Sequence, residues 1–185
     1  PAAAMRTVER YFGRLPKVPA PPRVATREPE PAGPRRVSVV FDANPQMVMG
    51  WPKPAAPAAD DTALEVLARA LDDGRVSRLQ KAIVQEKQLA ASLWVWSSAP
   101  GEKYDNLFTV WAAPRHPHTN AEVEAAILEE LERTRREPLT EREVLRVRNQ
   151  INAESVRKLA SNLGLARELA YYTNLVGDPF YLDRR

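Results

Sequence analysis

The chain has 185 residues, 44% hydrophobic and 28% charged, a balance typical of a globular protein rather than of a disordered tail. It has no cysteine, which excludes disulfides, Cys-ligated zinc and thiol catalysis. The net charge of +3 reflects 27 basic and 24 acidic residues interleaved along the sequence, which argues against a nucleic-acid binder. No apolar run is long enough for a membrane-spanning helix.

Proline divides the sequence into three regions, since 12 of the 17 prolines precede Ala58. The pattern predicts one amphipathic helix from Ala2 to Leu15, and residues 1–16 are expected to be the terminal helix of a preceding, absent domain. Residues 17–35 are a Pro-rich linker, because a stretch so rich in proline sustains neither a helix nor a central strand. Residues 36–185 are the compact C-terminal α/β domain.

The first half of this domain is predicted to alternate strands with helices. Strands are predicted at 37–41 and 46–51, joined by a turn at 42–45, and a hairpin is predicted at 91–97 and 106–113. Between them, Asp60 or Asp61 is expected to cap a helix that ends at Gly74, and a shorter helix is predicted at 76–86.

The second half is predicted to be helical. Thr119 with Glu122 and Thr140 with Glu143 each fit the capping box, in which a Thr hydroxyl and a Glu carboxylate satisfy the first amides of a helix. A last helix is predicted at 165–176. The expected fold is therefore α+β, with an antiparallel-containing sheet of about four to six strands and helices packed on one face.

Few residues suggest chemistry. His116 and His118 flank a proline before a capped helix, without a nearby third ligand, and are more typical of a surface loop than of a zinc site. The pairs Asp60-Asp61 and Asp72-Asp73 stand at helix ends, where capping explains them better than acid–base catalysis. Three of the four tryptophans lie on predicted neighbouring strands: Trp94, Trp96 and Trp111. They are expected in the core or at a domain interface, and the alternative is an aromatic binding surface. We therefore predict no catalytic, cofactor-binding or metal-binding residue.

Three stretches resemble the second domain of the pitrilysin-type zinc peptidases, the family that includes insulysin and the mitochondrial processing peptidase. These stretches are residues 60–68, 74–79 and 84–90, and residues 8–16 also resemble the last helix of that family's first domain. The resemblance implies that zinc is bound in the absent N-terminal domain, on a helix carrying His-x-x-Glu-His. It also implies that an Arg and a Tyr which hold substrate in active members would fall on Val84 and Ala91, so that both functional side chains are missing here.

The resemblance therefore implies a non-catalytic C-terminal domain of a zinc metalloendopeptidase, inactive alone, that helps to form a peptide-enclosing chamber. Its expected partners are the N-terminal domain of the same chain, a homologous subunit and an extended peptide substrate that adds to a sheet edge, with no nucleic acid and no membrane span. The alternatives are a structural or assembly subunit of the same fold without peptidase activity, and a stand-alone peptide-binding module.

Overall fold

The computed structural model describes residues 2–19, 22 and 28–181. The chain divides into two compact units, residues 1–34 and residues 35–185. The first unit contains α1 (Ala2–Phe12), which has no buried residue; the helix is amphipathic as predicted but ends three residues before Leu15. The predicted linker lies partly outside the described residues, at 20, 21 and 23–27, and its described residues form neither helix nor strand.

The second unit is built on an antiparallel sheet with the strand order β1-β3-β2. Its strands are β1 (Met47–Lys53), β2 (Ala90–Ala99) and β3 (Asn106–Pro114). Its helices are α2 (Asp61–Asp72), a π-helix (Gln80–Glu86), α3 (Asn120–Arg136), α4 (Glu141–Leu159) and α5 (Asn162–Val176). The α+β class with helices on one face of the sheet is confirmed.

The sheet has three strands in the described part of the chain, fewer than the four to six predicted. The predicted strand at 37–41 is not formed: in the described residues this segment pairs with no strand, and Val40 is completely exposed. The turn at 42–45 does not fold the segment back onto β1. Arg36, directly before this segment, pairs with Glu124 of α3 at 2.5 Å. Strand-forming residues without a partner strand remain unpaired.

Both capping boxes are confirmed. The Thr119 hydroxyl accepts a hydrogen bond from the Glu122 amide, and the Glu122 carboxylate accepts one from the Thr119 amide, so that α3 begins as predicted. Thr140 and Glu143 repeat this arrangement at the start of α4. Each box satisfies amides that the first turn of a helix leaves unpaired.

Three local predictions need correction. The helix predicted at 76–86 is wound as a π-helix over Gln80–Glu86, with Lys87 donating to the carbonyl of Ala82 five residues back. The last helix begins at Asn162 rather than 165, because the Ser161 hydroxyl accepts from the Gly164 amide and caps it. Asp60 precedes α2 but its side chain makes no capping hydrogen bond.

Strand alternation separates the two faces of the sheet. One face packs against α2, the π-helix and α3 and forms the hydrophobic core. Among its fully buried side chains are Leu71, Ile83, Val110, Val123 and Ile127. Residues one position away along each strand point to the opposite face, as the two-residue period of a strand requires.

Candidate functional site

The face of the sheet opposite the helices is rich in aromatic and aliphatic side chains. Trp111 of β3 lies between Val48 of β1 and Trp94 of β2 in the strand register. The rings of Trp94 and Trp111 have centroids 4.3 Å apart. Val48 is 63% exposed, Trp96 54% and Trp94 46%. We call this set, with Leu107, the tryptophan face: Val48, Trp94, Trp96, Leu107 and Trp111.

Exposure of the tryptophan face to water is unfavourable for an isolated protein. Tryptophan side chains each bury a large area when they are covered, and contiguous exposed apolar residues of this kind mark interaction surfaces. The sequence singled out all three tryptophans and weighed core, domain interface and binding surface for them. The structure excludes the core for Trp94 and Trp96, because about half of each side chain is exposed.

The free edge of β2 is closed by side chains. The Gln80 amide donates to the carbonyl of Leu93 at 2.8 Å, and the amide of Val95 donates to Asp72 at 2.9 Å. Gln80 also donates to Asp72 at 2.7 Å, so the two side chains support each other. These contacts occupy main-chain groups that an added strand would need, which is one way in which proteins protect sheet edges.

Beside this edge, the guanidinium group of Arg69 binds the carboxylates of Glu154 and Asp73. Arg69 donates to both carboxylate oxygens of Glu154 at 3.1 and 2.8 Å, and to Asp73 at 3.3 Å. These hydrogen bonds from Arg69 lower the pKa of Glu154 below its usual range. A cavity of about 460 Å³ opens here between α2, α4 and the edge of β2. Its carboxylates are engaged by Arg69, Gln80 and the main chain.

The positions that would carry a substrate clamp are apolar. Val84 lies in the π-helix, half-buried against the hydrophobic core, and Ala91 is exposed on β2. Valine and alanine side chains have no hydrogen-bond donor to offer to a peptide carbonyl or an oxyanion. At this position the π-helix contributes an apolar side chain that packs against the core.

The other candidate residues have structural partners. Asp61 forms an ion pair with the buried Lys53 at 2.7 Å and accepts from the amide of Ala58 at 2.6 Å. His118 lies 3.3 Å from Glu122, inside the capping box of α3. Within residues 2–19, 22 and 28–181, no group of three His, Asp or Glu side chains is placed to hold a metal.

Two features escaped the sequence analysis: the closed edge of β2 and the Arg69 junction. One signal for them exists in the sequence. Asp72 and Asp73 stand at the C-terminal end of α2, where the helix dipole disfavours a negative charge. Acidic residues at such a position need partners elsewhere in the fold.

In the described part of the chain, no helix has the length and apolarity to cross a membrane.

The similarities of this chain to known proteins are consistent with the fold described above. Residues 1–151 match the family model of the peptidase M16 inactive domain. No curated protein matches the chain. Among solved structures, a protease from Helicobacter pylori is similar with a TM-score of 0.81 and 23% identity; the match covers 92% of this chain but 42% of that protein. The inactive peptidase domain of a candidate zinc protease from Bordetella parapertussis has a TM-score of 0.65 and 20% identity, with 78% and 79% covered.

Proposed function

Because the chain belongs to the M16 peptidase family, as a copy of its inactive domain, we propose that it serves a zinc metalloendopeptidase as a C-terminal domain that binds other domains and helps to enclose the peptide. The zinc of that enzyme is proposed to reside in an N-terminal domain, on a His-x-x-Glu-His helix. This chain would supply shape and contacts rather than reacting groups.

The observation that carries the proposal is the tryptophan face. In the part of the chain that the structure describes, helices pack on one face of the sheet, and the opposite face exposes apolar side chains centred on the Trp94–Trp111 pair. Aromatic residues are enriched at the centres of protein interfaces, where they account for much of the binding energy. We therefore assign this face to the contact with the partner domain.

The proposed role in the chamber concerns the edge of β1. An extended peptide adds to a sheet through main-chain hydrogen bonds, and β2 is closed at Leu93 and Val95. In the described residues, β1 pairs only with β3, on one side, so its other edge is the one free to accept a strand. Support for a substrate role is thus confined to β1.

A binding experiment tests the interface. The N-terminal domain encoded by the same gene is titrated with this chain by isothermal titration calorimetry. Replacing Trp94 and Trp96 together by serine is expected to weaken binding at least about tenfold, since aromatic anchors often contribute about 2 kcal/mol or more each. A matched control replaces two other exposed apolar residues, Val156 and Leu163, by serine and is expected to change binding less than threefold. Equal losses in the two variants, or no binding at all, would contradict the assignment.

A second experiment separates the enzyme from the structural subunit. The complete parent protein is expected to hold about one zinc per chain and to cleave an unfolded peptide, whereas this chain alone is expected to do neither after dialysis. A parent sequence without His-x-x-Glu-His, and a parent protein without zinc or activity, would favour the structural or assembly subunit. One tightly held zinc per copy of this chain would contradict the proposal.

A further inference from the structure

The outer edge of β2 is regular over only a short stretch. Its pairing with β3 is continuous from Ser92 to Trp96, with a register shift before the first and after the last of these residues. Such irregularities disrupt the ladder and hinder the addition of a further strand. Within the regular stretch, the Leu93 carbonyl and the Val95 amide bond to side chains rather than to β3, so they lie on the outer side of the strand. An added strand would therefore use these two groups.

The side chains of Asp72 and Gln80 reproduce the hydrogen bonds of one residue of an added strand. In a parallel pair, one residue donates its N–H to a carbonyl of the neighbouring strand and accepts, through its own carbonyl, from the N–H two residues further along. The Gln80 amide takes the place of that N–H and donates to the Leu93 carbonyl at 2.8 Å. An Asp72 carboxylate oxygen takes the place of that carbonyl and accepts from the Val95 amide at 2.9 Å. Gln80 also donates to the other Asp72 oxygen at 2.7 Å, and we call the two side chains the Asp72–Gln80 latch.

The latch is held in place by the helices that carry it. Asp72 is the last residue of α2, and Gln80 is the first residue of the π-helix. The residues directly before them, Leu71 and Leu79, are both fully buried in the hydrophobic core. Because buried leucines fix both helix ends, the latch side chains lose little further conformational freedom when they bind the strand. The latch is therefore part of the packed domain.

The stretch under the latch is suited to pairing with another strand. Trp94, Val95 and Trp96 are aromatic or β-branched, the residue types that favour strands. Trp94 and Trp96 are also about half exposed. An open edge of such residues is a template for pairing with another chain. The latch therefore covers the part of β2 that has the strongest tendency to pair.

We propose that the Asp72–Gln80 latch prevents β2 from pairing with β2 of a second copy of this chain. The two groups under the latch are one acceptor and one donor, which complement each other across a two-fold axis. When two β2 strands lie antiparallel about Trp94, the Leu93 carbonyl of each copy accepts from the Val95 amide of the other. Each copy has one such edge, so this pairing ends at two chains. The inference concerns β2 alone and does not rest on the proposed function.

The test measures self-association of the complete 185-residue chain by sedimentation velocity. Asp72→Ala with Gln80→Ala opens the latch and is expected to tighten self-association at least about tenfold relative to the wild type, since main-chain hydrogen bonds become available to a second copy. Asp73→Ala with Gln85→Ala is the matched control. It removes the same two kinds of side chain, which bond to α2 and to the loop that follows it. The control is expected to change self-association less than about twofold.

Amide hydrogen exchange measured by NMR identifies the surface that associates. In the open-latch variant at low protein concentration, the Val95 amide is expected to exchange faster than in the wild type, because it has lost the Asp72 carboxylate. As the concentration rises, the same amide is expected to regain protection. The Trp94 amide faces β3, since successive residues of a strand alternate in direction, and is expected to stay protected at every concentration.

A milder variant keeps the test decisive if circular dichroism shows that the double variant does not fold. Gln80→Ala alone leaves Asp72 on the Val95 amide and is expected to tighten self-association about threefold. The proposal is overturned if the open-latch variant, or Gln80→Ala in its place, associates no more than the wild type, or if the control associates equally. It is also overturned if association leaves exchange of the Val95 amide independent of concentration, because the chains would then meet through another surface, such as the tryptophan face.

Discussion

Arg78 forms a two-pronged ion pair with Glu143, with its Nε and Nη2 atoms donating to the two carboxylate oxygens at 2.7 and 2.9 Å. The same guanidinium donates to the carbonyls of Glu137 and Pro138 in the loop between α3 and α4. Glu143 is also part of the capping box of α4, whose N-cap residue is Thr140. One carboxylate therefore fixes the start of a helix and its position against the segment that leads into the π-helix.

This pair makes stability depend on pH. The hydrogen bonds from Arg78 lower the pKa of Glu143 to about 2, from about 4.5 in the unfolded chain. A lowered folded-state pKa contributes stability that is complete above pH 4.5 and is lost as the pH falls towards 2. Glu143→Gln is expected to cost about 1–3 kcal/mol at pH 7 and almost nothing near pH 2.

Urea denaturation of the wild type and of Glu143→Gln between pH 2 and pH 7 measures this difference. Glu141→Gln is the matched control, because Glu141 is exposed in the same helical turn. A stability difference between wild type and Glu143→Gln that stays constant across the pH range would contradict the pKa assignment.

The two faces of the sheet are expected to respond differently to mutation. Leu93 is 1% exposed in the core, and Leu93→Ala is expected to lower the free energy of unfolding by about 2–5 kcal/mol. Trp96 is 54% exposed, and Trp96→Ser is expected to lower it by less than about 1 kcal/mol in the isolated chain. Urea denaturation of both variants provides the comparison. Equal losses would show that the tryptophan face stabilises this domain by itself.

The buried Lys53 is expected to be costly to remove. Its ammonium group lies 2.7 Å from Asp61 and donates to the Ser98 hydroxyl at 2.7 Å, linking β1, the start of α2 and the end of β2. Lys53→Ala leaves the Asp61 carboxylate without its cation and is expected to cost about 3–5 kcal/mol. Lys53→Met with Asp61→Asn removes both charges, and thermal unfolding is expected to show that it recovers at least half of the loss. A double variant no more stable than Lys53→Ala would indicate that packing, not charge, explains the effect.

Gly164 is expected to tolerate no side chain. A Cβ atom at this position would lie 1.8 Å from the carbonyl oxygen of Lys158, because α5 turns closely past the end of α4. Gly164→Ala is expected to lower the free energy of unfolding by about 1–3 kcal/mol, as forced overpacking does. Gly101 has no atom near the corresponding position, so Gly101→Ala serves as the control, and urea denaturation is expected to show little change in it. A stable Gly164→Ala variant would mean that the corner between the two helices can open.

Local signals were sufficient for much of the fold. The Thr–Glu pairs fixed where α3 and α4 begin, because a capping box depends only on residues three apart. Alternation predicted the hairpin of β2 and β3. The strand predicted at 37–41 failed because a strand also needs a partner, which no local pattern contains. The first turn of α5 was missed since Gly164 looked like a break, when it is the residue that allows close approach.

The candidate functional surfaces likewise depend on tertiary contacts that no local sequence pattern contains. The sequence singled out the three tryptophans, but only the register of β2 and β3 places Trp94 beside Trp111 on one face. The closure of the β2 edge depends on Asp72 meeting Val95 across 23 positions of sequence. The resemblance to the family indicated which residues would not act, whereas the tertiary structure was needed to find the surfaces that could bind.

The unpaired segment Val37–Phe41 has a consequence for handling the protein. Four of its five residues are large, apolar and exposed, and such short stretches of β-branched and aromatic residues nucleate cross-β aggregates. Arginines precede this segment and Pro45 follows it, and such flanking residues slow aggregation although the apolar segment itself remains. A charged replacement at Val40 is therefore expected to slow aggregation of the concentrated protein without touching the core.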